Sequence, residues 1–322
     1  MSTRRIQVGL FSAVLVCLAF ATGASAQQPA PTFPYDSQAN RPGKLILQNA
    51  VKSQELPTGQ NLKKMEDFIV LYSLPQLTLA VNLKRLPETR DLIRRDLYNP
   101  KVGAGPAINL FNEKAMATLT KMLNPAYKHK PVVRYNVVIL IGELDQVVGK
   151  KGTRKAVPYT PALAMLTKWT RHAKVDDFLK VAALRGVLRH AEAGIRNNQE
   201  AGKVQVEMLA LLGEKVPTGR SPKVHAWMRR RAADVLGAMG SNGKGDLVAK
   251  TLVSVMRNAA EPLLVRGTVA AALGQLPLAQ VSGLNAAQLQ ALKAQMKQIL
   301  DQTKALGATA ATPLAAKPAP KP

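Results

Sequence analysis

One pattern restricts what this chain can fold into more than any other. An apolar residue followed by a cation recurs at Val133-Arg134, Leu179-Lys180, Met228-Arg229 and Val265-Arg266, at intervals of 46, 49 and 37 residues. Four residues after each apolar start stand Val137, Ala183, Ala232 and Val269, and eight after it Ile141, Val187, Leu236 and Leu273. Those offsets keep one face of an α-helix apolar. Gly142, Gly237 and Gly274 follow in three of the units, with Leu144, Met239 and Leu276 two residues further on; the second unit has Leu188 and His190 at these places. Glycine inside a helix costs about 1 kcal/mol relative to alanine, so its repeated use points to a neighbouring helix that must come close.

Each recurring helix has a candidate partner upstream: Ala107 to Met122, Pro161 to His172, Glu200 to Leu212 and Asp246 to Asn258, every one amphipathic. Short breaks containing Pro or Gly separate the members of each pair. Pro131, Pro222 and Pro262 stand near the starts of second helices, where a missing N–H costs nothing. Paired helices at this period, with the V-R-x-x-A-A-x-x-L-G-x-L pattern, resemble HEAT repeats over residues 107 to 276. The resemblance implies an all-α fold, an α-solenoid of helical hairpins. The pattern departs from the family at the acidic loop residue: Asp176 matches, four positions before Lys180, Glu261 approximates it, and the other two units lack one. The acid-to-cation ladder between repeats is therefore incomplete in the sequence.

Outside the repeats, residues 61 to 98 read as one more hairpin, broken by Pro75 and Pro87, so that the HEAT-like domain spans 61–306. Ala286 to Leu306 reads as a carboxy-terminal helical cap, with Leu289, Leu292, Met296, Ile299 and Leu300 on one side. Residues 27–60, with Pro29, Pro31, Pro34 and Pro42, are expected to form a Pro-rich polar linker. Residues 307–322 are expected to be a disordered Ala/Pro/Lys tail. The first 26 residues have the form of a secretory signal: Arg4 and Arg5, an apolar run from Val8 to Phe20, and Ala24-Ser25-Ala26 before the cleavage point. The expected address is the periplasm or the exterior, with no stable transmembrane segment after cleavage.

Composition narrows the chemistry. Lys and Arg total 45 against 20 Asp and Glu, a formal charge of +25, or +23 once Arg4 and Arg5 are removed with the leader. Such an excess attracts polyanions: acidic polysaccharide, anionic lipid or nucleic acid. Cys17 is the only cysteine and lies in the leader, so the mature chain is held by packing rather than by disulfides. His129, His172, His190 and His225 stand at no metal-ligand spacing, and neither a nucleophile elbow nor a dinucleotide fingerprint occurs. No cofactor and no metal site are expected. Gly240 to Gly245 reads as a helix C-cap and turn rather than a phosphate loop.

Two basic features remain as candidate anion or partner sites. Lys150, Lys151, Arg154 and Lys155 cluster around Gly149 and Gly152 in an expected exposed loop. Within Arg229-Arg230-Arg231, Arg229 flanks the inner stripe and reads as structural, whereas Arg230 points away and is expected to be free to bind. The function expected from these features is a non-catalytic scaffold for a protein partner. Charge-driven attachment to a polyanion is the alternative, and an enzyme has no residue to support it.

Overall fold

A computed structural model describes residues 33–98 and 103–311. The expected leader 1–26 and residues 312–322 of the expected tail lie outside these. The described residues form an all-α fold of twelve helices with one small two-stranded hairpin. In chain order the helices are α1 (Asn40–Ser53), α2 (Gly59–Asp67), α3 (Leu86–Leu97), α4 (Pro106–Met122), α5 (Pro131–Gly142), α6 (Thr160–Trp169), α7 (Asp177–Ala193), α8 (Asn198–Gly213), α9 (Pro222–Met239), α10 (Leu247–Arg257), α11 (Leu263–Leu273) and α12 (Ala286–Ala311). Strands β1 (Asp145–Val147) and β2 (Val157–Pro158) pair antiparallel between α5 and α6.

The expected first and second helices are all present within a residue or a few of their anticipated ends. Pro106, Pro131, Pro161 and Pro222 occupy first turns of α4, α5, α6 and α9. Asn197 caps α8 by accepting the backbone N–H groups of Gln199 and Glu200 at 2.9 and 3.1 Å. Gly240 ends α9 at φ 63°, a left-handed conformation that glycine adopts without strain.

Three ranges differ from expectation. Asn40–Ser53 is a 14-residue helix inside the span expected as linker. The reason is spacing: Gly43, Leu47, Ala50 and Val51 recur at three- and four-residue intervals and are all buried, and Pro42 falls in the first turns, where it is tolerated. Likewise α12 runs on to Ala311, past the expected start of the tail at Gly307. Between α2 and α3 the chain winds as a π turn (Phe68–Ser73) and two 3-10 turns (Leu74–Thr78 and Ala80–Arg85) instead of a regular helix.

Second helices pack on second helices: α5 on α7, α7 on α9, α9 on α11 and α11 on α12. First helices pack on their own mates and on the next first helix, α6 on α8 and α8 on α10. The side-chain pairs show that the second helices run parallel and in phase. At their starts Arg134 meets Asp176 and Arg229 meets Glu261, while Arg220, just before α9, meets Asp177 at the start of α7. Gly142 at the end of α5 lies against Gly186 midway along α7, and Gly237 lies against Ala272 near the ends of α9 and α11. The last helix reverses: Thr303 of α12 touches Gly267 near the start of α11, and Met296 lies beside Gly274 at its end.

The contact glycines fix how closely these helices sit. A Cβ on Gly142 would fall 2.8 Å from the Gly186 Cα, and one on Gly237 would fall 2.8 Å from the Ala272 Cα. Both neighbours are backbone, so neither can swing away. By contrast Gly202, midway along α8, is exposed with nothing within 4 Å of an added methyl. Chemical denaturation is expected to show Gly237→Val losing on the order of 2–3 kcal/mol through forced separation of α9 and α11. Gly202→Ala is expected to gain about 0.5–1 kcal/mol by lowering unfolded-chain entropy and raising helix propensity.

Candidate binding surfaces

The acids of the loops between first and second helices are all used internally. Arg134 pairs with Asp176 at 2.8 Å across α5 and α7. Arg229, nearly buried, holds Glu261 in a bidentate pair at 2.5 and 2.8 Å and also donates to the Leu212 carbonyl at 2.6 Å. These are the repeat cations and acids read from the sequence, so Arg229 has the structural role expected of it. Between the second and third units the link is reversed. Asp177 accepts from Lys180 at 3.3 Å and from Arg220 at 3.0 Å, and Arg220 also reaches Glu214 at 3.2 Å and His225 Nδ1 at 3.2 Å. The acidic ladder that looked incomplete is thus closed by an arginine supplied from the following loop.

The hairpin candidate divides. Lys150, Lys151 and Lys155 are exposed, but Arg154 is not part of the exposed group. Its Nε donates to the Val148 carbonyl at 2.8 Å and its guanidinium lies on Gly103, where a Cβ would collide with it. The backbone of Lys150 pairs with Arg154 in a bridge, and the segment expected as a flexible loop is a hairpin.

Arg230 is a correction. Its side chain is half-buried and its Nε donates to Thr268 Oγ1 of α11 at 3.0 Å, so it is not a free cation. The helix-wheel argument considered one buried stripe, but α9 is flanked by α7, α8 and α11 and so buries three sides.

Sequence reasoning did not pick out the side chains on the side of the second-helix row that faces away from the first helices. Arg185 of α7 is exposed and donates to Tyr135 Oη of α5 at 3.4 Å. Arg231 of α9 lies over the Trp227 ring, 5.2 Å from its centroid, and pairs with Asp234 at 2.8 Å. Burial pushes the Asp234 carboxyl up from its ordinary value, Arg231 and Arg230 oppose this, and Glu192 of α7 adds to it. Register could have found this strip: Arg185 and Asp234 both stand six residues after their apolar starts, and Arg231 and Thr268 both stand three after theirs.

Two buried polar clusters tie elements together. The carboxylate of Asp145 sits between Arg189 of α7 and, at 3.8 Å, Arg94 of α3. Tyr98 Oη accepts from the Asp145 N–H at 2.9 Å and donates to Asn112 Oδ1 at 2.7 Å, and Asn112 returns a bond to the Asp145 carbonyl. Burial pushes the Asp145 carboxyl up while Arg189 pulls it down. His190 is buried on α7, and its Nε2 has no hydrogen-bond partner among the described residues. It lines a shallow cleft of about 310 Å³ with Val157, Leu163 and Arg196. Burial, with Arg189 next to it, lowers its pKa from 6.5 to about 4. Among the described residues no group of three His, Cys, Asp or Glu could hold a metal ion.

Comparison with protein-family models, with curated proteins and with solved structures found no match to this chain.

Two stability measurements check these assignments. Glu261→Gln leaves Arg229 buried with its charge unpaired and is expected to cost about 3 kcal/mol. Asp176→Asn breaks a more exposed pair and is expected to cost less than about 1 kcal/mol. His190 takes a proton more readily unfolded than folded, so its neutral form supports the fold above pH 6.5 and that support is lost as pH falls toward 4. His190→Leu restores the apolar residue found in the other units. Its denaturation midpoint is expected to vary less than the wild type's over that range, the difference approaching about 3 kcal/mol at the acid end.

Proposed function

We propose that this chain is an exported, non-catalytic scaffold for a protein partner, built from HEAT-like hairpins as an α-solenoid behind a leader at 1–26. The observation that carries the reading is the parallel, in-phase row α5–α7–α9–α11, whose open side presents Arg185 and Asp234 at one repeat position, Arg231 and Thr268 at another, and Tyr135 beside Arg185. Rows of equivalent helices give extended binding surfaces, because each unit adds one more set of side chains at the same height. This strip carries both signs of charge and half-buried aromatic surface. It therefore suits a folded or extended protein segment better than a uniformly charged chain.

Arg185 is the strip's most available cation: no carboxylate among the described residues pairs with it. A substitution there changes the surface without removing an internal link. The expected outcome is that the wild-type protein retrieves one specific partner from the exported fraction, and that Arg185→Glu reduces retrieval about tenfold or more, while Lys151→Glu on the hairpin leaves it unchanged. Retrieval of no specific partner at any ionic strength would overturn the scaffold reading.

A further inference from the structure

The parallel register puts the loops that lead into the second helices, 123–130, 170–176, 214–221 and 258–262, along one edge of the array. Because α12 runs antiparallel to α11, its end past Thr303 reaches this edge too. Four acids stand in these loops or at the first residue beyond them: Asp176, Asp177, Glu214 and Glu261. Each is engaged by Arg134, Lys180, Arg220 or Arg229. Arg171 pairs with Glu207 of α8 at 3.3 Å, and the lysines of this edge, Lys128, Lys130, Lys174, Lys215 and Lys223, are all exposed.

Apolar side chains share that edge. Six large hydrophobic residues are exposed between 131 and 306, and four of them stand here: Val132 at the start of α5, Val216 before α9, Leu264 at the start of α11 and Leu306 near the end of α12. Only Val206, on α8, and Leu247, at the start of α10, lie elsewhere. Successive packed helices are about 8–10 Å apart, so the edge offers a line of separate aliphatic side chains with lysines between them. Cations that neutralise headgroups, alternating with aliphatics that enter the boundary of the acyl chains, are what an anionic bilayer surface binds. A soluble polyanion would leave the aliphatics uncovered. The opposite edge, at the β1–β2 hairpin, has Lys150, Lys151 and Lys155 but no exposed large aliphatic residue in that hairpin.

We infer that this edge is a membrane-docking surface that seats the array on a bilayer rich in anionic lipid. No helix among the described residues is long and apolar enough to cross a membrane, and surface docking needs none. The inference rests on the same helix register as the scaffold reading. Its assay contains lipid alone, so its failure would leave the protein-partner reading standing.

The test uses the full chain in a Cys17→Ser background, with a polarity-sensitive fluorophore on single cysteines at 132, 216, 264, 206 or 247. Phosphatidylglycerol vesicles are expected to shift the emission of the first three labels to the blue and to leave those at 206 and 247 unchanged. Phosphatidylcholine vesicles are expected to shift none. In a pelleting assay, replacing Lys128, Lys130, Lys174, Lys215 and Lys223 by Gln is expected to lower the partition onto phosphatidylglycerol by roughly tenfold or more. Replacing Lys150, Lys151 and Lys155 is expected to change it less than about twofold. Equal shifts at 206 and 216, no shift at 216, or equal loss from both lysine sets would each overturn the assignment.

Discussion

The approach of α5 to α7 at Gly142 and Gly186, and of α9 to α11 at Gly237 and Ala272, is the constraint on which the array depends. The described residues contain no cysteine, so only packing and polar contacts hold these helices together. Without a covalent cross-link among them, each helix–helix interface must be tight. At these crossings the backbones themselves touch. A shift of one helix by a turn would bring a Cβ to the place a glycine occupies, so the contact selects one register as well as one distance.

Register in turn decides where charges go. With second helices in phase, the cation near the start of one helix falls beside the acid before the next, as in Arg134–Asp176 and Arg229–Glu261. The nearly buried Arg229 is stabilised only because both carboxylate oxygens and the Leu212 carbonyl meet its fork. The chain has few acids, and the array draws its loop acids into these joints. The lysines therefore have little to neutralise them, and the formal excess in the composition becomes an outward field. The basic character of the surface follows from how the acids are spent inside.

Much of this was legible in residue spacing, and what was missed has a common cause. The four second helices, their upstream mates, the terminal cap and the Gly240 turn follow from period, proline position and glycine chemistry, which are local signals. A single helix wheel carries no information about which neighbours flank it, so it leaves Arg230 free and gives Arg185 and Asp234 no distinction. Arg220 closes the Asp177–Glu214 joint from a loop whose composition is ordinary, and nothing in its local sequence distinguishes it. Prolines around Asn40–Ser53 give that segment the composition of extended chain, whereas Leu47, Ala50 and Val51 have helical spacing. Arg154 lay in a cluster of cations, but only the hairpin fold that brings Gly103 beneath it turns it from a surface charge into a clamp.

Both ends of a row expose an apolar face unless something different covers it, and the two ends here are closed by different means. At the far end α12 lies antiparallel on α11 and offers exposed Lys and Gln on its outer side. At the near end α5 is buried along most of its length, with α3 and α4 against it and the hairpin beyond its last turn. A polar joint fixes that end: Arg189 donates to the Gly142 and Leu144 carbonyls, satisfying the end of α5, and also holds Asp145, which Tyr98 and Asn112 tie to α3 and α4. Apolar packing alone would let α3 slide over α5, and Arg94 of α3 is one of the cations that hold Asp145. A buried carboxylate that loses its partners on sliding does not permit this, because an unpaired charge there costs several kcal/mol. The row is held in phase by glycine contacts between its units and by a charge network at its origin. Its open side is consequently confined to the stretch between two closed ends.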